Sequence, residues 1–317
     1  MLEDYSQDYS SSIKKFEEML KTNFTYFFDA QEIEFIALHY IDFGKINLAK
    51  KAIKIGNRQH PSNINILLLK SEILILEDKY QSAEEILSFV HEIEPNNQDA
   101  YIQKANILSK LKKHEKSIEI LRECLKQSEY KFEIWQMIAM EFLTICEFKK
   151  AMIYFKLCIK NEPNDHQILY NLIYCIENIG CYKEGVKILS EVLEKDPYNE
   201  LIWLELGKLY LKIDKKSKAL TAFDYAILCD DKFSAAYVEK AKLLQKNKNF
   251  LSAIENYQFS LSLEPPSAFI YLRIGECFKK LNKCQLELKY YKFSVKEDPN
   301  YEEIWLALIE YCLNKNK

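Results

Sequence analysis

Five histidines, nine cysteines and a spaced row of lysines are the residues of this 317-residue sequence whose types could do chemistry. Zinc would need His39, His60, His91, His114 or His166 to stand four apart on a helix or inside an HExxH motif, and none does. His114, beside Glu115, reads as an exposed turn between helices. Nucleophilic use of Cys124, Cys158, Cys175 or Cys277 would need a cation or base beside the thiol, and no CxxC pair or zinc spacing is present. They read as small core hydrophobes of a reducing, cytoplasmic compartment. The six glycines form neither GxGxxG nor GxxxxGK[ST], so no phosphate cradle is expected. No enzyme signature remains; catalytic residues, metal and cofactors are all expected to be none.

Surface chemistry is a different matter. Lys208 and Lys212 recur one interval later as Lys242 and Lys246, and Lys279 and Lys280 continue the row. Such a row can form a lane for an acidic peptide or for RNA. It can also be a solvated face, because Glu205 and Glu239 each stand three residues before a lysine and can pair with it. A net charge of -3 and a pI near 6.1 disfavour nucleic acid as the partner. The most apolar stretch, INILLLKSEILIL, is interrupted by Lys70 and Glu72 and is too short to span a membrane. The opening MLEDYSQDYSSS is acidic and polar, unlike a secretory signal. Heavy use of Ile, Lys and Asn fits an AT-rich, bacterial genome.

The elements that must position these residues are set by a repeat. Pro61, Pro95, Pro163, Pro197, Pro265 and Pro299 are separated by 34, 68, 34, 68 and 34 residues, with Glu129 and Asp231 in the vacant slots. With proline at the thirty-second place, units start at residues 30, 64, 98, 132, 166, 200, 234 and 268, and a last start falls at 302. The fourth place then holds Trp135, Trp203 and Trp305 with Tyr101, Tyr237 and Tyr271. The eighth and twentieth places are small, for example Ala105 with Ser117 and Gly207 with Ala219; the twenty-fourth is large, as in Leu121 and Phe223. Each unit carries two amphipathic stretches at helical spacing, and the proline stops the second. One such pair cannot bury its own apolar face, so neighbouring pairs must stack.

This column pattern resembles the tetratricopeptide repeat (TPR) over residues 30 to 317. The resemblance implies an all-α, right-handed superhelical solenoid of about eight helical hairpins. Residues 1–29 would form a mobile polar arm (1–12) and a capping helix bearing Ile13, Phe16, Met19 and Leu20. Residues 30–301 would form eight tandem units, with a capping-box-like start at Asp29 and Glu32, and 302–317 a C-terminal helix. The stretches KFEEMLKTN, YFFDAQE and HYIDFGKINLAKKA also resemble the opening of an uncharacterised family of bacterial TPR proteins, which implies no activity.

The likeness further implies a non-catalytic scaffold that binds a peptide or helix of a partner protein. The binding groove would be lined by the second, fifth, sixth, ninth, twelfth and thirteenth places of the first helices. In the middle of the array those places hold Ile102, Asn106, Met137, Met140, Tyr170, Asn171 and Tyr174, and further along Lys208, Lys212, Lys242 and Lys246. Packing between first helices competes for the same residues. The chaperone-binding TPR class needs Lys at a fifth place, which no unit has, so chaperone tails are disfavoured. An RNA-binding solenoid using the lysine row is the alternative, weakened by the lack of a regular base-reading pair.

Two departures stand out. Ile173 occupies a small eighth place opposite Gly185, an exchange that conserves volume. Glu287 occupies a small twentieth place, where a buried carboxylate is costly, so Glu287→Ala is expected to raise thermal stability unless a lysine pairs with it. The last helix, EEIWLALIEYCLNKNK, is apolar on more than one side, with Trp305 and Leu308 expected to pack inward. Leu306, Ile309 and Leu313 are then expected to be exposed, for end-to-end homodimerisation or for a partner, or as the bare end of a shortened array without assembly.

Overall fold

The structure, a computed structural model, describes residues 2–22 and 24–315, with side-chain surroundings given for 11–22 and 24–313. Among them it is all-α, with eighteen helices and no strand. The chain forms two compact units, Met1–Ala151 and Met152–Lys317.

In the first unit α1 spans Leu2–Lys21, α2 Ala30–Asp42, α3 Ile46–Gln59, α4 Ile64–Leu76, α5 Tyr80–Ile93, α6 Gln98–Lys110, α7 His114–Gln127 and α8 Phe132–Thr144. α9, Phe148–Asn161, carries the boundary. In the second unit α10 spans His166–Ile179, α11 Tyr182–Leu193, α12 Glu200–Lys212, α13 Lys216–Cys229 and α14 Ser234–Lys246. α15 spans Phe250–Leu263, α16 Ala268–Lys280, α17 Cys284–Glu297 and α18 Glu302–Lys315. From α2 onward the even-numbered helices begin every 34 residues, at the positions where the proline comb restarts.

The punctuation between hairpins has two parts. Proline ends one helix, and two residues later a short polar side chain starts the next. Asn63, Asn97, Asp165 and Asn199 each accept a hydrogen bond from the backbone N–H three residues on, at 2.9 to 3.1 Å. At the first hairpin Glu32 accepts from the Asp29 N–H at 2.9 Å. Within each hairpin the turn is set by its fifteenth place. Gly44, Asp78, Lys112, Cys146, Gly180, Asp214, Lys248 and Asn282 all have φ between 55° and 76°. Only two are glycines, which is why this column was invisible in the sequence.

Three expectations are corrected. Residues 2–12, expected as a mobile arm, belong to α1, and Met1 lies outside the described residues. The buried Ser12 hydroxyl donates to Glu32 at 2.6 Å, and Phe16 packs against Phe28 and Tyr40, while Leu20 is exposed. Above Gly185 the nearest atoms belong to Ile176 and Leu209, and Ile173 is only half-buried, so the space the glycine leaves is filled first by Ile176 and Leu209 rather than by Ile173. His114 is no exposed turn: it begins α7, half-buried, with Nδ1 2.7 Å from the buried Glu141 carboxylate of α8.

The fourth-place aromatics do more than fill a gap. Trp203 Nε1 donates to the Pro197 carbonyl at 2.8 Å, Tyr237 Oη to the Asp231 carbonyl at 3.1 Å, and Trp305 Nε1 to the Pro299 carbonyl at 2.8 Å. Each bond clips the start of a first helix to the thirty-second place before it. The rings of Trp203 and Tyr237 also lie on Tyr225 and Phe259, with centroids 4.7 and 4.6 Å apart. Trp203→Phe keeps a ring over Tyr225 and loses the donor. A loss of about 1 kcal/mol is expected in urea denaturation of the second unit; an unchanged midpoint would mean that water replaces the clip at no cost.

Candidate functional site

Each unit carries a cavity on its first helices. In the first unit it has a volume of 640 Å³ and is lined by Glu34 and Leu38 of α2, Leu68, Glu72 and Leu76 of α4, and Ile102 and Asn106 of α6, among others. Every lining residue sits at a second, fifth, sixth, ninth, twelfth or thirteenth place. Side chains at these spacings share one face of each helix, so a stack of first helices presents them together. Ile102 is almost buried and forms floor; Asn106 is exposed.

The second unit's cavity, of 1110 Å³, is lined by Lys242 and Lys246 of α14 and by Phe269, Arg273, Lys279 and Lys280 of α16, with Glu276 and Glu310 among the rest. Lys242 and Arg273 both lie over the Phe269 ring, 5.2 and 4.9 Å from its centroid. Lys208 and Lys212 do not line this space. Lys208 pairs with the buried Glu205 at 2.8 Å, and Lys212 with Glu177 at 3.5 Å. Lys242 pairs with Glu239 at 2.8 Å. The row that reads as continuous in the sequence is therefore divided, and much of its charge is answered by the chain's own carboxylates.

The remaining groove residues form no third cavity among those found. On α8 Met137 is half-buried and Met140 exposed. On α10 Tyr170 and Tyr174 are 53% and 52% exposed, one turn apart, and Asn171 accepts from Gln167 at 3.3 Å.

Glu287, on α17, is buried, and it has partners. Burial is the largest influence and raises its pKa above the ordinary 4.5; the Lys279 ammonium and a hydrogen bond from Tyr291 act in the opposite sense, and Glu310 adds to the rise. Lys279 in turn pairs with Glu310 of α18 at 2.6 Å. Glu287→Ala would strip the buried Tyr291 hydroxyl of its acceptor, so the gain expected from sequence becomes a loss of about 1–2 kcal/mol. A carboxyl with a raised folded-state pKa contributes stability below its unfolded value that is lost as pH rises through the folded value. Glu287→Gln should therefore gain on the parent in chemical denaturation as pH rises from 4.5 toward neutrality. A stability difference that stays constant with pH would contradict this assignment.

The buried thiols are inert by environment. Burial pushes Cys124 and Cys175 up to about 11 and Cys158 and Cys277 up to about 12. Among the described residues no group of three or more His, Cys, Asp or Glu side chains could hold a metal ion. No helix among them is long and apolar enough to cross a membrane. On α18, Ile304 and Tyr311 are buried against Leu272 and Tyr291, with Leu308 packed beside them. Trp305, expected to pack inward, is half-exposed, and Leu306, Ile309 and Leu313 are exposed.

Paired helices restarting every 34 residues, with a cavity on the first helices of each unit, define a helical-repeat protein. Two of its repeats match the Tetratricopeptide repeat model, at residues 98–130 and 132–165. The chain is 22% identical over 201 residues to Anaphase-promoting complex subunit 3 of Schizosaccharomyces pombe, across 63% of this chain and 30% of that protein. It is 22% identical over 129 residues to the Hsp70-Hsp90 organizing protein of Triticum aestivum, across 39% of this chain and 22% of that one. The chain thus spans less than a third of the length of either relative. The solved structure of Naa15/Naa10 bound to HypK-THB matches with a TM-score of 0.50 at 18% identity, over 78% of this chain and 39% of that one, which bears on the fold alone.

Proposed function

We propose that the protein is a non-catalytic, cytoplasmic scaffold that binds a peptide or helix of a partner protein along the first helices of its hairpins. The observation that carries this reading is the common origin of the two cavities. Both draw most of their walls from the same face of successive first helices, with Lys248 and Phe250 added in the second, so that a long ligand can contact more than one repeat in each. Tyr170 and Tyr174 offer exposed aromatic rings at the fifth and ninth places of α10, which suit such a ligand. The chaperone partners named for the wheat relative are not carried over, because no fifth place holds the lysine of that clamp.

The RNA reading rests on the lysine row and weighs less, since Glu205, Glu177, Glu239 and Glu310 each hold one of its lysines. Affinity capture with the full chain, followed by mass spectrometry with and without nuclease, separates the two. Partners that survive nuclease support the scaffold; partners that all vanish with nuclease overturn it in favour of RNA.

A second contact in this reading is a homodimer through α18. Leu306, Ile309 and Leu313 form one exposed apolar stripe at helical spacing, which water solvates poorly. Sedimentation at micromolar concentration should show a dimer that Leu306→Glu with Leu313→Glu dissociates. A monomeric parent removes this contact.

A further inference from the structure

We propose that the cavity of the first unit receives a basic amphipathic segment of the partner protein, apolar side down. The inference rests on the groove reading above and adds the chemistry of the occupant. Four carboxylates, Glu34, Glu72, Asp99 and Glu133, line this space against one ammonium, Lys110. Leu38, Leu68, Leu69, Leu76 and Ile102 share the lining with them, and Leu38 and Leu76 are exposed. An apolar strip walled by carboxylates fits a helix that carries leucine-like residues on one face and Lys or Arg beside them.

Two details inside the cavity point to a donor-bearing, cationic ligand. Burial, with Asp42 adding to it, raises the pKa of Glu72, so its charged form lacks a compensating cation. Gln103 donates from Nε2 to the Leu68 carbonyl at 3.1 Å, while its Oε1 is buried with no hydrogen-bond partner. A buried acceptor without a donor is costly, so a turn of this amide toward an incoming N–H would be favoured. The second unit's cavity has the opposite character, with six Lys or Arg residues against Glu276 and Glu310, so the acidity belongs to this cavity rather than to the repeat.

The test uses the full chain and two photoreactive, fluorescent peptides of about 18 residues, leucines at helical spacing with either lysines or glutamates between them. The lysine peptide should bind, cross-link to α2, α4 and α6, and weaken as salt rises. Glu72→Gln with Asp99→Asn, near-isosteric changes, should weaken it about tenfold. Lys110→Gln should tighten it about twofold, an independent check should the double variant prove unstable. Unchanged affinity in both variants overturns the charge assignment, as does cross-linking of the glutamate peptide to these three helices, and either result leaves the groove reading standing. Absence of cross-links from both peptides to these helices overturns the groove reading for this unit as well.

Discussion

Phe223→Ala is expected to lower the stability of the second unit by about 3–5 kcal/mol, the usual cost of emptying a fully buried aromatic site. The ring belongs to α13 and lies where Gly207 of α12 has no side chain. A Cβ built on Gly207 would stand 2.4 Å from the Phe223 ring, far inside contact distance. The glycine and the ring are thus one packing decision, made by two helices of the same hairpin. Their coupling gives a sharper expectation than either change alone. In the parent, Gly207→Ala should cost about 1–3 kcal/mol by overpacking. In the Phe223→Ala background the clash is gone, and the same change should stabilise by about 0.5–1 kcal/mol, since alanine is the better helix former. Urea denaturation of the four proteins of this cycle measures both values. Equal effects of Gly207→Ala in the two backgrounds would show that the helices adjust and that the close approach is not fixed by this pair.

Replacing both Tyr170 and Tyr174 by alanine is expected to weaken a partner captured by the protein by about 2–4 kcal/mol, thirtyfold or more. Aromatic anchors carry a disproportionate share of interface energy because each buries a large, stiff surface at small entropic cost. Both rings are more than half exposed in the chain alone, so the fold should lose far less than the interface does. The comparison that decides is binding against thermal midpoint, measured on the same preparation. A partner retained at parental affinity by the double variant places its contact elsewhere, and a collapse of the midpoint would mean that the rings are part of the core.

The repeat was legible because it is over-determined. Proline, the fourth-place aromatics and the small columns at the eighth and twentieth places agree on one register, and helices begin at Ala30, Ile64, Gln98 and the later starts of that register. The places that would line a groove came from the resemblance, and of the residues at them Ile102, Asn106, Lys242 and Lys246 line the cavities, whereas Met137, Tyr170 and Lys208 do not. What the letters hide is the answer each side chain receives from its neighbours. Lys208 looks like ligand-binding charge until Glu205 is seen beside it. Glu287 looks like an intruder until Lys279 and Tyr291 are seen around it. His114 looks exposed because its partner, Glu141, is 27 residues away on the next first helix. The opposite charges of the two cavities escape a linear reading because each is assembled from single residues a repeat apart.

The turn inside each hairpin leaves the chain with unused thermostability. Asp78, Lys112, Cys146, Asp214, Lys248 and Asn282 hold a left-handed backbone that glycine adopts freely and other residues adopt at a cost of about 1–2 kcal/mol. Asp and Asn carry less of that cost, so the strain is concentrated at Lys112, Cys146 and Lys248. Glycine at any of these three should stabilise its unit by about 1 kcal/mol at most, once the freer unfolded chain is counted, and raise its melting temperature accordingly. The gains should add, because the three turns lie in separate hairpins and share no side-chain partner. A triple variant no more heat-resistant than its parent would show that these turns relax their strain elsewhere in the hairpin. If the gain is real, the natural chain stops short of the heat resistance its own architecture permits, and three codons separate it from a hardier version of itself.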